Sequence, residues 1–190
     1  MKVNYIAISD TPAWVIATAN TIAKLRGWEP FTGYQFPYNL ARRDAEREII
    51  PMARKHKMAM LLWNVIDPGL FSGKYTRSKV TSGRIAKGIL QDEGKLQMAR
   101  KIDHIADELG CSSSQLAYAW ILAQKMIPIV GATSVLQLED NVGSLEVKLS
   151  EERIKQIQKV KTFDPGFPEE FMNAPNIKSL IYGNSYDKLK

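Results

Sequence analysis

The sequence has 190 residues, 45% of them hydrophobic and 24% charged, with a formal net charge of +6, which is typical of one globular domain. No apolar run approaches the roughly 20 residues of a membrane-spanning helix, and basic residues interleaved with acidic ones favour solvated helix faces over a nucleic-acid surface. The single cysteine, Cys111, excludes an internal disulfide, and no Cys/His cluster has metal-ligand spacing, so we expect no metal and a reducing, cytoplasmic location.

The first predicted elements are a strand and a helix. Val3–Ser9 is an apolar run rich in β-branched and aromatic residues, which predicts a buried strand. Thr11-Pro12 then predicts an N-cap followed by proline in the first turn of a helix. Apolar residues at helical spacing predict the face of this helix that packs on the core: Trp14, Val15, Ala19, Ile22 and Leu25.

Three further segments are also predicted to be buried strands. They are short and apolar: Thr32–Phe36, Met58–Trp63 and Met126–Val130. Continuously apolar strands that alternate with helices predict a parallel sheet covered by helices. No G-x-G-x-x-G follows the first strand, so a dinucleotide-binding doubly wound sheet is not supported. Four such strands are half of a (β/α)8 barrel.

The helices between and after these strands carry clear boundary signals. Pro51 predicts a kink or a local break in the second helix, and Gly110 predicts the end of the third. Gln115 stands three residues after Ser112, as in a capping box. Three serines mark predicted helix starts: Ser112, Ser134 and Ser150.

Polar residues stand at the carboxyl ends of the four predicted strands. They are Ser9-Asp10, Gln35, Asn64 and the segment 131–134. In (β/α) barrels this rim is where active sites are built. We therefore assign residues 1–162 to a half-barrel that carries a site, and residues 163–190, which are rich in Pro, Gly and Asn, to an extension that packs on it.

At these rim residues the sequence resembles the C-terminal half of an aldo-keto reductase, most of all the fungal aryl-alcohol dehydrogenase and norsolorinic acid reductase branch. The resemblance lies in "ISDTPAWVIATAN", "GLFSGKY", "IPIVGATSVLQLEDNVGSLEVKLS" and "FDPGFPEEF", among others, in the family's order. It implies the C-terminal half of a (β/α)8 TIM barrel, with NADP(H) extended across its rim. It also implies reduction of aldehydes or ketones, or oxidation of aryl alcohols, by hydride transfer.

The resemblance implies a nicotinamide site at the first three strand ends. Ser9 and Asp10 fall where the family has a Ser-Asn pair that holds the carboxamide, so Asp10 is a departure from that pattern. Gln35 falls where a glutamine makes a further carboxamide hydrogen bond. Trp63, followed by Asn64, falls where an aromatic ring stacks on the nicotinamide. Amide, hydroxyl and carboxylate groups together offer the donors and acceptors that a carboxamide needs.

The resemblance also implies a phosphate and adenosine site. Leu70, Ser72 and Lys74 fall in the loop along the pyrophosphate. The remaining candidates fall at the last strand end and the helix that follows it: Gly131, Thr133, Ser134, Gln137, Asp140 and Asn141. A helix start offers free N–H groups to a phosphate, but this turn contains no Arg or Lys, so we expect NADP(H) to bind in preference to NAD(H), but weakly.

The family's chemistry uses an acidic residue, a tyrosine, a lysine and a histidine, all on the first half of the barrel. His56 and His104 lie in predicted helices away from the rim, and none of the tyrosines near the rim has a lysine at a motif-like position. We therefore assign no catalytic residue and expect the chain alone to be inactive.

Three hypotheses follow from this interpretation. The chain could be a cofactor-binding module without turnover, one subunit of a two-chain reductase whose partner supplies the tetrad, or an interaction module. A four-stranded piece of a barrel has two open edges, so we also expect either a two-fold homodimer or pairing with a missing N-terminal half.

Overall fold

The computed structural model describes residues 2–78, 86–183 and 185. Four parallel strands form one sheet in the order β1-β2-β3-β4. Their bounds are Ile6–Ser9 for β1, Phe31–Pro37 for β2, Ala59–Trp63 for β3 and Ile127–Pro128 for β4. The predicted half-barrel arrangement, parallel strands joined by helices, is therefore confirmed.

Helices connect these strands and follow the last of them. Their bounds are α1 Ala13–Arg26, α2 Ile49–Lys55, α3 Ala86–Leu90, α4 Glu93–Leu109, α5 Ser113–Ala123, α6 Val135–Val142, α7 Glu151–Gln158, α8 Glu169–Asn173 and α9 Pro175–Tyr182. Three 3-10 segments lie between them: Asp44–Glu46, Asp67–Ser72 and Gly143–Leu145. Among the residues described, no helix is both long and apolar enough to cross a bilayer.

The two faces of the sheet have different surroundings. Side chains alternate between the faces of a strand, and those of Tyr34, Phe36 and Leu62 are buried against the helices. On the other face, Gly33 lies between Ala7 of β1 and Ala59 of β3 in the register of the sheet. The hydrophobic core therefore lies between the sheet and its helices, and the opposite face is the one that a closed barrel would enclose.

Both outer strands are shorter than the sequence pattern predicted. β1 begins at Ile6, and Val3 and Tyr5 before it are exposed. β4 spans only Ile127–Pro128. Pairing still extends one residue further, where the Ile129 N–H donates to the Leu62 carbonyl at 2.8 Å.

The predicted start and apolar face of α1 were wrong. Thr11 does not cap the helix, because its hydroxyl donates to the Ser9 carbonyl at 2.8 Å, and Pro12 takes the N-cap position. The buried face consists of Ala13, Ile16, Asn20 and Ala23. Trp14, Ile22 and Leu25 are exposed, and Val15 and Ala19 are only half-buried.

Asn20 explains why the packed face differs from the most apolar one. Its side chain is only 4% exposed, accepts a hydrogen bond from the Phe31 N–H at 2.9 Å and donates to the Phe31 carbonyl at 3.1 Å. The amide thus holds the start of β2 against α1. A buried polar group with its partners fixed decides the orientation of the helix, which a count of apolar residues misses.

Replacing Asn20 by leucine should lower the free energy of unfolding by about 2 kcal/mol, because both Phe31 backbone groups lose a partner at a part-buried site. Urea unfolding followed by circular dichroism measures this loss. Thr21→Ala is the matched control, since its hydroxyl bonds only to the Ala17 carbonyl of the same exposed helix face. An equal loss in both variants would contradict the role given to Asn20.

Several predicted boundaries are confirmed. Gly110 ends α4 in a left-handed conformation with φ 65°. Ser112 and Gln115 form the reciprocal capping box at the start of α5. The break expected at Pro51 lies just before α2, and Pro51 occupies its first turn, where a missing N–H leaves no hydrogen bond unmade.

The start of the predicted extension contacts the barrel segment. The Phe163 ring packs under the guanidinium groups of Arg43 and Arg47, and Arg47 donates to the Asp164 carbonyl at 2.9 Å. The helices α8 and α9 contain no buried residue. Residues 184 and 186–190 lie outside the described part of the chain, so packing of the whole extension stays a prediction.

Candidate cofactor site

Three strand ends meet at the carboxyl edge of the sheet. Ser9 at the end of β1 is in register with Gln35 of β2. The Asp10 N–H donates to the Gln35 carbonyl at 3.1 Å. The Trp63 indole N–H, at the end of β3, donates to the Asp10 carboxylate at 3.4 Å. The sheet thus brings Ser9, Asp10, Gln35 and Trp63 together as the sequence predicted.

Left-handed residues turn the chain sharply at two of these ends. Asp10 has φ 47° and Asn64 has φ 64°, conformations that Asp and Asn tolerate better than most side chains do. The Asn64 side chain donates to Asp67 at 3.4 Å. The turn after Trp63 is therefore held locally, which keeps Trp63 at the edge.

Asn39 supports this turn and was not singled out in the sequence. Its buried side chain donates to the Asn64 carbonyl at 2.8 Å and accepts from the N–H groups of Ala41 and Arg42. The contacts with Ala41 and Arg42 form an Asx-type turn, so the signal available in the sequence was an asparagine three residues after the predicted strand Thr32–Phe36. Asn39 acts as a positioning residue for Trp63.

Trp63 combines a fixed edge with an accessible ring. The side chain is 37% exposed, and its N–H is held by Asp10. The ring belongs to the strand face that the helices do not cover. A planar group could therefore lie on the exposed indole while hydrogen-bonding to Asp10, Ser9 or Gln35.

The loop after β3 combines a buried anchor with a polar surface. Leu70 is fully buried, so it fixes the 3-10 segment rather than offering a side chain to a ligand. The Ser72 hydroxyl donates to the Gly69 carbonyl at 2.7 Å. The Lys74 ammonium lies 4.6 Å from the centre of the Tyr75 ring and covers Gly69, where a β-carbon would lie 2.6 Å from Lys74 Cε.

A buried carboxylate holds the end of this loop. Asp103 of α4 accepts hydrogen bonds from the hydroxyls of Thr76 and Ser113. Arg77 donates to the Asp103 carbonyl at 2.8 Å and to the Asp107 carboxylate at 2.7 Å. The position of Lys74 is thus set by contacts between the loop and two helices.

The turn after β4 is organised by the first residues of α6. Ser134 caps this helix, its hydroxyl accepting from the Gln137 N–H at 3.3 Å. The Gln137 side-chain oxygen accepts from the Thr133 N–H at 2.9 Å and from the Thr133 hydroxyl at 3.0 Å. All three residues are exposed, so the turn presents a helix start and hydroxyl groups to solvent.

Two candidates of the same helix have structural partners. The Asn141 side chain is buried and donates to the Gly131 carbonyl at 3.3 Å, which fixes the turn from behind. The Asp140 carboxylate accepts from the Ser112 hydroxyl at 2.9 Å, at the start of α5. Asp140 therefore stabilises the start of α5, and Asn141 stabilises the turn that precedes α6.

Neither histidine lies at the carboxyl edge of the sheet. His56 caps the end of α2, just before β3 begins. His104 is exposed on α4 and lies 3.3 Å from the Glu108 carboxylate. Within the described ranges, no group of three His, Cys, Asp or Glu residues could hold a metal ion.

Comparison with known proteins agrees with this geometry. A putative aryl-alcohol dehydrogenase of Saccharomyces cerevisiae is 36% identical over 179 residues, which are 90% of this chain and 48% of the relative. A norsolorinic acid reductase of Aspergillus flavus is 35% identical, covering 90% and 44%. An NADP(+) aryl-alcohol dehydrogenase of Phanerodontia chrysosporium is 33% identical, covering 98% and 52%. The chain spans about half the length of these relatives.

The sequence profile of one family matches most of the chain. It is that of the aldo/keto reductases, and it covers residues 2–162, which contain every strand end described above. The family predicted from the rim residues is therefore confirmed: this chain belongs to the aldo/keto reductase family.

Proposed function

We propose that this chain carries the cofactor-binding portion of an NADP(H)-dependent aldo-keto reductase that acts on aldehydes, ketones or aryl alcohols. The observation that carries the proposal is the contact between Trp63 and Asp10 at the carboxyl edge, beside Ser9 and Gln35. An aryl-alcohol dehydrogenase relative whose name specifies NADP(+) supports the choice of cofactor.

The donor set fits the nicotinamide end of such a cofactor. The Asp10 carboxylate can accept from a carboxamide NH2, while the Ser9 hydroxyl or the Gln35 amide can donate to its oxygen. The exposed face of Trp63 can stack on the ring. When bound, NADPH supplies a hydride, and these residues would keep the ring flat against the rim with its other face open to substrate.

The phosphate end has fewer charged groups. Lys74 offers one ammonium beside Gly69, and α6 offers the N–H groups of its first turn. The turn 131–137 contains no Arg or Lys that could form a charge-assisted contact with a 2′-phosphate. We therefore expect NADPH to bind somewhat more tightly than NADH, and both to bind weakly.

Trp63→Ala should weaken NADPH binding about tenfold, because an aromatic ring stacked on a planar base contributes on the order of 1–3 kcal/mol. Isothermal titration calorimetry of the full chain measures the change. Trp14→Ala is the matched control, since Trp14 is exposed on α1, outside the strand-end cluster. The control should keep the wild-type affinity.

Two results would contradict the proposal. One is a folded chain that binds no NADPH at millimolar concentration, which would favour the interaction-module hypothesis. The other is equal weakening by both tryptophan variants, which would place the cofactor elsewhere. Equal affinity for NADPH and NADH would overturn only the assignment of the turn 131–137 to the 2′-phosphate.

A further inference from the structure

Asp10 places a negative charge without a cationic partner at the carboxyl edge of the sheet. Its carboxylate accepts from the Trp63 indole N–H at 3.4 Å, and this neutral group is its one side-chain partner within the described part of the chain. None of the ion pairs among the described residues includes Asp10, and the residue is exposed. The hydrogen-bond acceptor at this position therefore carries a charge that no neighbouring cation offsets.

The ring of Trp63 adds to the negative potential at the same place. The face of an indole is electron-rich and attracts cations more strongly than the face of phenylalanine or tyrosine. Donation of the indole N–H to the Asp10 carboxylate polarises the ring further in this direction. The side chain is 37% exposed, so the face is accessible. Two neighbouring groups thus make this edge favourable for positive charge.

The two redox forms of a nicotinamide cofactor differ in charge at the nicotinamide ring. The ring of NADP+ is a pyridinium with a charge of about +1, whereas the dihydropyridine ring of NADPH is neutral. The adenosine and the phosphates are the same in both forms. A carboxylate that accepts a hydrogen bond from the carboxamide stands close to the ring that bears it, so it attracts the oxidised ring and not the reduced one.

We infer that the Asp10 carboxylate, together with the Trp63 ring, makes this site select NADP+ over NADPH, the form with which the oxidation of an alcohol begins. The inference rests on the proposed function, since it needs a nicotinamide at this edge. An asparagine at position 10 can accept the same hydrogen bond from the carboxamide but brings no charge. Asp10 thus determines specificity for the redox state of the cofactor through its charge.

Asp10→Asn tests this role in the full chain. Isothermal titration calorimetry with NADP+ and with NADPH gives two dissociation constants, and the ratio of the NADPH value to the NADP+ value reports on the ring alone. The ratio should fall about fivefold in the variant, because a close carboxylate–cation attraction is lost at an exposed site. Asp10 has φ 47°, a conformation that asparagine also adopts, so the variant should keep the fold.

Two further variants separate the local charge from other effects. Asp44→Asn is the matched control, because it removes the same charge from an exposed carboxylate that pairs with Arg47 at 2.8 Å instead of Trp63. It should leave the ratio unchanged. Trp63→Ala should lower the ratio about threefold, since the attraction of a cation to an exposed indole is lost.

Three results would overturn the inference: a ratio that stays the same in Asp10→Asn although both forms bind, a ratio that rises, and an equal fall in Asp44→Asn. An unchanged ratio in Trp63→Ala would overturn the part assigned to the indole. A wild-type chain that binds neither form would instead overturn the proposed function, and this inference with it. If Asp10→Asn loses the wild-type circular dichroism, Asp10→Gly provides the same comparison, because glycine tolerates φ 47° and carries no charge.

Discussion

The 190-residue chain alone should reduce veratraldehyde with NADPH about 10⁴-fold more slowly than a typical enzyme, whose turnover is about 10 per second. The family's reaction needs a tyrosine that gives a proton near neutral pH, next to a cation that lowers its pKa. Tyr34 and Tyr38 instead donate to the Thr11 carbonyl and the Glu46 carboxylate. Burial raises the pKa of both hydroxyls, which opposes proton donation.

Tyr75 is the tyrosine whose replacement tests this prediction. The Lys74 ammonium contacts its ring, and its buried hydroxyl has no hydrogen-bond partner among the described residues. The loss of NADPH absorbance at about 340 nm in the presence of the aldehyde measures turnover. A rate near that of a typical enzyme would contradict the prediction, and its loss in Tyr75→Phe would identify Tyr75 as the proton donor.

Trp120→Ala should lower the free energy of unfolding by about 3–5 kcal/mol, the usual cost of removing a large buried aromatic side chain. Trp120 is fully buried in α5 and stacks on Tyr38, with ring centroids 5.3 Å apart. The stack joins α5 to the end of β2, so its loss opens a cavity between helix and sheet. Urea unfolding monitored by circular dichroism measures the change.

Trp120→Phe separates the packing of this side chain from its polar atom. The indole N–H is buried without a partner among the described residues, so its removal relieves an unmade hydrogen bond. Phenylalanine also keeps a ring against Tyr38. We expect less than half the loss seen with alanine, and equal losses would mean that the N–H has a stabilising partner.

The strands and several helix ends could be predicted because their signals are local. The capping box of Ser112 with Gln115 and the left-handed Gly110 each depend on a few adjacent residues, and both are as expected. The lengths of the outer strands could not be predicted in the same way. They depend on pairing with neighbouring strands, which the residues of one strand do not determine alone.

The orientation of α1 could not be predicted from its apolar residues. The helix buries Asn20 because that side chain bonds to Phe31, eleven residues further along the chain. Trp14 and Leu25 then face outward, although they contribute most to the apolar pattern. Contacts between distant segments decide such cases, and spacing within one helix does not contain them.

The candidate site was predictable where strand ends determine it. The placement of Ser9 and Gln35 follows from the order of parallel strands, whose carboxyl ends meet at one edge, whereas Trp63 was singled out by the family resemblance. The partners of single side chains were not predictable. Asp140, for example, bonds to Ser112, and Asn39 holds the turn after Trp63. The binding roles of all these residues stay predictions.

The capping box at the start of α5 has an evolutionary consequence. Gly143 has an ordinary helical φ of −55°, yet a β-carbon there would lie 2.4 Å from the Gln115 side-chain nitrogen. Any larger residue at 143 must displace Gln115 and so break half of the box. Positions 115 and 143 should therefore vary together in related chains: where 143 is not glycine, 115 should be shorter than glutamine.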